Sequence, residues 1–307
     1  MARKIICHVV GGLGNQLFMY AAARAMAWRN DAELVLETGL FRRDVVYHRE
    51  LLLESFRGPR ALRQVDFGRG LRRYWHRATF ELGQQLPERW RTVIREGEPP
   101  RYQPELLVPR QGSVRMMGGW QSERYFDDYR SELLADLAFG VELSTATKQL
   151  AQEIEAEAEP VAVHLRAYRD VPNPNERRVL PRSYVEAACG RIRDEWPKAK
   201  LFLFADEPEH FRDVSKALGA HRWVTHNQVR GNAGAIEDLY LMSRCRHFVV
   251  ANSSLSWWGA WLSQQRWGMA EQGSAGDRMI IAPASGIFNR DFVPAWWIAQ
   301  SIGSNLV

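Results

Sequence analysis

Cysteine is scarce: the chain of 307 residues holds three, Cys7, Cys189 and Cys245, far apart and each inside a hydrophobic segment. They form no CxxC pair and have no metal-type spacing with the histidines, so neither a disulfide framework nor a zinc site is expected. No apolar run approaches the length that crosses a bilayer, and there is no internal repeat or low-complexity tract. Charge of one sign never accumulates into a block. Lysine and arginine total 41 against 36 acidic residues, a formal net charge of +5, and arginines such as Arg57, Arg60, Arg63, Arg69, Arg72 and Arg73 are dispersed. That balance suits an anionic substrate or a membrane face and argues against nucleic acid, although a merely arginine-rich surface explains it equally well. Residues 1–10 carry Arg3 and Lys4 but reach a glycine turn too soon for a secretory apolar region. A cytoplasmic protein is therefore expected.

Several catalytic signatures are missing too. There is no HExxH, no GxSxG, no GxxxxGK[ST], and no Asp-x-Asp at a strand end, so zinc-hydrolase, serine-hydrolase and P-loop chemistry lose support and no metal is expected.

What is present is α/β patterning at a length that allows two cores. Residues 4–10 are a β-branched run, residues 11–14 a glycine turn, and residues 15–30 a helix with Phe18, Ala22, Ala25 and Met26 on one face; residues 32–37 form a second strand. A second α/β series starts after an acidic helix over 148–159. Strands are expected at 160–166, 200–205, 222–225, 247–251 and 279–282, and helices at 182–196, 208–218, 235–244 and 253–264. Such alternation describes a doubly wound domain with ligands at the carboxyl ends of its strands. The halves should meet between residues 140 and 155. Residues 41–115 carry no clear period, and a helical, peripheral region is expected there.

Three stretches could carry chemistry. Gly11-Gly12-Leu13-Gly14-Asn15-Gln16-Leu17 feeds a helix whose first N–H groups suit an anion or a sugar. As a dinucleotide fingerprint it is partial: Gly12, Gly14 and Glu37 fit, Leu17 does not, and a plain strand-to-helix turn explains the glycines as well. His164 and Arg166 lie on one side of a strand end, since side chains alternate. Arg166 could grip a diphosphate with its planar fork, or pair with Asp206 at the tip of the next strand; both readings stand. Asn252, Ser253 and Ser254 offer a cap, hydroxyls and backbone donors at a helix start, followed by Trp257, Trp258 and Trp261, which are expected to pack that helix on the sheet. Asp206, Glu207, Glu237 and Asp238 read equally well as charges at element ends.

Taken together, these stretches resemble the family 11 glycosyltransferases, the α-1,2-fucosyltransferases. The likeness runs through the glycine turn, Gly119-Trp120-Gln121-Ser122-Glu123-Arg124-Tyr125-Phe126, Leu203-Phe204-Ala205-Asp206, Asp238-Leu239-Tyr240-Leu241-Met242-Ser243 and residues 251–262. The resemblance implies two facing Rossmann-like domains of GT-B type. Residues 1–145 would be an acceptor-side domain with helical insertions and residues 146–307 the nucleotide-sugar domain, with a return of the last segment onto the first half left open. It implies an inverting, metal-independent transferase using GDP-fucose as substrate, no further cofactor, and a galactoside or lipid-linked glycan as acceptor, which makes contact with the inner membrane face an open expectation. By the same likeness Arg166, Arg169, Asp206, Asp238, Asn252, Ser253, Ser254, Gly14 and Asn15 would bind the donor, and Gln16, Trp120, Gln121 and Glu123 would form the cleft or meet the acceptor, with an anchoring role for Trp120 equally open. Arg166, His164 and Asp170 are the catalytic candidates, with Glu176 a second candidate base.

One departure stands out. The family pattern His-Val-Arg-Arg-Gly-Asp-Tyr reads here His164-Leu165-Arg166-Ala167-Tyr168-Arg169-Asp170. If the chain stays extended past Arg166, Arg169 falls on the side of Ala167 and Asp170 on that of Arg166. The departure keeps two other readings in view, a transferase for another sugar nucleotide and a binding protein without turnover; a nicotinamide oxidoreductase is the third, motivated by Gly12, Gly14 and Glu37.

Overall fold

The computed structural model describes residues 2–44, 48–66, 92–98, 100–168, 171, 179–219, 222–224, 232–269, 278–284 and 291–302. The chain divides into two compact units, Met1–Val141 and Glu142–Val307.

The first unit is built on five parallel strands, β1 (Lys4–His8), β2 (Glu33–Glu37), β3 (Arg63–Val65), β4 (Val93–Arg95) and β5 (Val114–Met117), in the order β3-β2-β1-β5-β4. Helix α1 (Leu13–Arg29) links β1 to β2 as the sequence suggests. Its burial is wider than one face: Met19, Tyr20, Ala21 and Ala23 are buried along with Phe18, Ala22, Ala25 and Met26. A helix apolar on all sides is a core helix, which is why a one-faced periodicity understates it. Gly11 makes the turn into α1 with φ 77°, a left-handed backbone that side chains rarely tolerate. A short helix, α2 (Arg130–Asp136), closes the unit.

The expectation of a helical, peripheral stretch over 41–115 is corrected by the sheet. Three of the five strands come from its described part, and β5 pairs directly with the central β1, Cys7 opposite Met116. Residues 45–47, 67–91 and 99 of that stretch lie outside the described residues.

The second unit opens with helix α3 (Thr145–Glu155), capped by the Ser144 hydroxyl. It continues with β6 (Pro160–Leu165), α4 (Arg182–Glu195), β7 (Lys200–Ala205), α5 (Arg212–Leu218), β8 (Arg222–Val224), α6 (Asn232–Met242), β9 (His247–Val249), α7 (Ser254–Leu262), α8 (Gln264–Trp267), β10 (Ile280–Pro283) and β11 (Ile298–Gln300). All strand pairs are parallel, in the order β8-β7-β6-β9-β10-β11. Counted within the unit this is third, second, first, fourth, fifth, sixth, the doubly wound order whose crevice opens where the first and fourth strands part. Here that point lies beyond the carboxyl ends of β6 and β9. The last described strand, β11, joins this second sheet against β10.

Central strands of a parallel sheet are covered on both faces and read as continuous apolar runs. So it is with β6, buried at all six positions, whereas β8 and β11 are short and half-buried. On one side Val161, Val163 and Leu165 pack with Tyr184, Ala188 and Ile192 of α4 and with Leu201 and Leu203 of β7. Helix α7 carries Trp257, Trp258 and Trp261, all fully buried, and Trp257 donates its indole N–H to the Phe292 carbonyl at 2.7 Å. Gly259 lets α7 approach α6, since a Cβ there would lie 2.7 Å from that of Met242.

Candidate active site and its relatives

The crevice of the second unit is bounded by the end of β6 and the start of α7, and its wall includes His164, Arg166, Leu180, Phe211, Ala251 and Asn252. Asp206, just past β7, organises the loop after β6. Its carboxylate accepts from Arg166 Nη1 at 3.0 Å, from the Ala167 N–H at 2.8 Å and from the Tyr168 N–H at 3.1 Å. Arg166 thus makes the ion pair that one of its two readings expects. It is paired with Asp206, yet remains at the rim of the crevice with 24% of its side chain exposed.

The chain does not stay extended past Arg166, which corrects that expectation. Tyr168 has φ 58°, in the left-handed region, and the Val171 N–H turns back to the Tyr168 carbonyl at 3.0 Å. Tyr168 stands where the resembled pattern has glycine, and glycine is the residue such a backbone favours. Arg169, Asp170 and Glu176 lie outside the described residues.

His164 is buried, and burial followed by the nearby Arg166 charge pushes its pKa down to about 3. It is thus a neutral imidazole, and its Nδ1 is buried with no hydrogen-bond partner among the described residues. Across the crevice the Ser253 hydroxyl accepts from the Leu255 N–H at 3.3 Å, capping α7 as its position suggests. Ser254 is half-buried at the first turn and Asn252 is buried. Asp238 is half-buried on α6; its neighbour Glu237 accepts from the Ser144 N–H at 3.0 Å.

The first unit has its own strand-end cluster, at the ends of β1 and β5. Asn15 and Gln121, both half-buried, are joined by a 3.0 Å bond from the Gln121 amide N–H to Asn15 Oδ1. Gly14 is buried in the first turn of α1. Three residues expected to line a cleft are instead internal. Gln16 is fully buried: its amide donates to the carbonyls of Gly11 and Glu50, at 2.8 and 2.7 Å, and accepts from the Leu52 N–H at 2.9 Å. Trp120 is fully buried with its ring edge-on to Tyr125, and Glu123 is paired with Arg130 at 2.9 Å. The family-like motif at 119–126 is thus largely packing, and Gln121 is its member left at the strand ends.

Sequence reasoning missed Tyr168 and Glu96. Glu96 follows β4, and its Oε2 accepts from the N–H groups of Gly119 and Trp120, at 2.7 and 3.2 Å, which holds Trp120 at φ 52°. Burial raises the Glu96 pKa against the pull of those two donors. Among the described residues no three His, Cys, Asp or Glu side chains converge as a metal cradle, and no helix is long and apolar enough to cross a membrane.

The model of glycosyl transferase family 11 matches residues 110–268, a little over half of the chain, from the entry to β5 through α7 and α8. The chain belongs to glycosyl transferase family 11. Curated relatives of this family 11 chain include an alpha-1,2-colitosyltransferase of Escherichia coli, 24% identical over 264 residues that cover 84% of this chain and 87% of the relative. Another is the O-antigen biosynthesis glycosyltransferase WbnK of Escherichia coli, 23% identical over 272 residues, covering 82% and 88%. Among solved structures, fucosyltransferase NodZ from Bradyrhizobium has a TM-score of 0.52 at 17% identity, with 84% of this chain and 91% of that one covered. A mutant of Arabidopsis thaliana FUT1 in complex with GDP has a TM-score of 0.51 at 10% identity, with 85% and 68% covered. These likenesses establish the fold of the family 11 chain as the GT-B class, two α/β units each on a parallel sheet, and the family makes it a glycosyltransferase.

Proposed function

We propose that this glycosyltransferase moves fucose from GDP-fucose to the 2-hydroxyl of a galactoside in a surface glycan or oligosaccharide, with inversion and without a metal. The observation that carries the reading is that Arg166 and Asn252, the residue that leads into the Ser253 cap of α7, line one crevice at the point where β6 and β9 part. Cleaving the sugar–diphosphate bond builds an oxocarbenium-like sugar and a negative leaving group, so fixed donors around the diphosphate lower the barrier. A guanidinium fork and the positive end of a helix are such donors. Neutral His164 lines the same crevice without adding a competing charge. Arg169 and Asp238 complete the donor set proposed from the family likeness, with Asp170 or Glu176 as the acceptor base. Asp206 belongs to that set through Arg166, which it orients.

Gln121 supplies an uncharged amide suited to a sugar, and the family likeness supports acceptor contact there, while Gly14 and Asn15 belong by that likeness to the donor side. The dispersed arginines support a cytoplasmic protein that visits the inner membrane face, where lipid-linked acceptors are assembled. Release of GDP from GDP-fucose with a panel of galactosides tests the reading, together with NMR of the product for the linkage and anomeric configuration. Turnover restricted to a different GDP-sugar would leave the transferase and change the donor. The relative named as a colitosyltransferase makes that second donor reading specific enough to include GDP-colitose in the panel.

A further inference from the structure

We propose that Tyr168 is a positioning residue that ties Arg166 to the start of α7, so that guanidinium and helix end present themselves to the diphosphate as one rigid unit. The inference rests on the donor reading above and adds to it a residue outside that proposed contact set.

Three contacts converge on this side chain and its backbone. The phenol O–H donates to the Asn252 carbonyl, the residue just before the α7 cap. The ring lies under the Arg166 guanidinium, with Cζ 5.2 Å from the ring centroid, within the range of a cation–π contact. The backbone N–H is held by the same Asp206 carboxylate that takes Arg166 Nη1. Tyr168 is 8% exposed, so the bond from its phenol to Asn252 is buried. Together they close a ring running from Arg166 to Asp206, to the Tyr168 backbone, and through the aromatic face back to Arg166.

The backbone shows what this ring does. A left-handed φ is unfavourable for a bulky side chain and persists where the surroundings hold it. At φ 58° the chain turns sharply enough to bring the aromatic ring back beneath the preceding arginine and point its hydroxyl across the crevice. A flexible arginine would have to lose side-chain freedom on meeting the donor; one already fixed by Asp206 on one edge and Tyr168 on one face has lost much of it in advance.

The test uses the full chain, with GDP and GDP-fucose as probes. Tyr168→Phe keeps the ring and removes the bond to Asn252; Tyr168→Leu removes the ring as well. GDP affinity by calorimetry should fall about ten-fold in the first, the worth of one buried hydrogen bond, and further in the second. The donor KM should rise in both while the acceptor KM holds. In an Arg166→Ala background, Tyr168→Leu should weaken GDP binding less than it does alone, since its action through the guanidinium is gone. Unchanged GDP affinity and donor KM in folded Tyr168→Phe would overturn the proposal, as would full additivity of Tyr168→Leu with Arg166→Ala. A wild-type chain that binds neither GDP nor GDP-fucose would instead overturn the donor reading, and this inference with it.

Discussion

The strand ends of the two sheets solve the same topological problem with different chemistry. In each unit the chain turns at the point where neighbouring strands diverge, and long-range polar contacts hold the turns together. In the first unit the contacts are largely between neutral groups: the Gln16 amide with Gly11, Glu50 and Leu52, and the Gln121 amide with Asn15. In the second they surround a charge, with Asp206, Tyr168 and Arg166 locked together beside neutral His164. A rim of amides meets sugar hydroxyls without a strong field, whereas a fixed guanidinium is suited to phosphate. Shared architecture thus does not assign shared ligands; the residues at the turns do.

The contrast can be broken at its charged end first. Arg166→Ala should raise the barrier by about 3 kcal/mol, roughly a hundred-fold or more in kcat/KM, while the thermal midpoint moves little, because Asp206 keeps its two backbone partners. Steady-state kinetics beside a melting curve decides it, and a large loss of stability with modest loss of rate would make Arg166 structural.

At the neutral end the opposite split is expected. Gln16→Ala removes the buried amide that pairs three backbone groups, the carbonyls of Gly11 and Glu50 and the Leu52 N–H, and should cost about 1–3 kcal/mol of stability, seen as an earlier denaturant midpoint, with the residual folded enzyme keeping its KM values.

The pH dependence of stability sharpens the second sheet alone. His164 at its carboxyl end and His247 at its amino end both have pKa values pushed down to about 3, chiefly by burial. His247 also accepts the Met279 N–H on Nδ1 at 3.0 Å, a bond lost on protonation. In the unfolded chain each would titrate near 6.5. The unfolded state therefore binds the extra protons, and stability should be fully present above pH 6.5 and fall as pH drops toward 3, by up to about 1.4 kcal/mol per unit for each histidine. Urea melts of wild type, His164→Gln and His247→Gln at pH 7 and 5 should show each variant with a shallower fall than wild type; matching slopes would remove the histidines from the account.

The smallest effect is expected at Gln121→Ala. Losing its half-buried bond to Asn15 should cost about 1 kcal/mol or less in stability, with a rise in acceptor KM and an unchanged donor KM; a donor-side effect would erase the division between the two rims.

How much of this the sequence showed differs by half. In the second unit, strands covered on both faces advertise themselves, and 200–205 coincides with β7 residue for residue. The first unit hides β3, β4 and β5 because each is three or four residues long and includes an arginine, Arg63, Arg95 or Arg115, which breaks the apolar run. At the site, the strand tip and the helix cap were legible from local pattern. The burial of Gln16, Trp120 and Glu123 was not legible, because a motif reveals which residues recur and not which way they face. Tyr168 and Glu96 were invisible, since each depends on a left-handed backbone and a partner far along the chain.

The parting of β6 and β9 also bears on how the molecule comes to exist. Tyr168 and Asn252 are 84 residues apart, and everything between them, from α4 to β9, must be laid down before they can meet. Contacts of such long span close slowly. In refolding, helical signal should therefore return well ahead of nucleotide binding, and the crevice should be the part of the second unit that newly made chains acquire last.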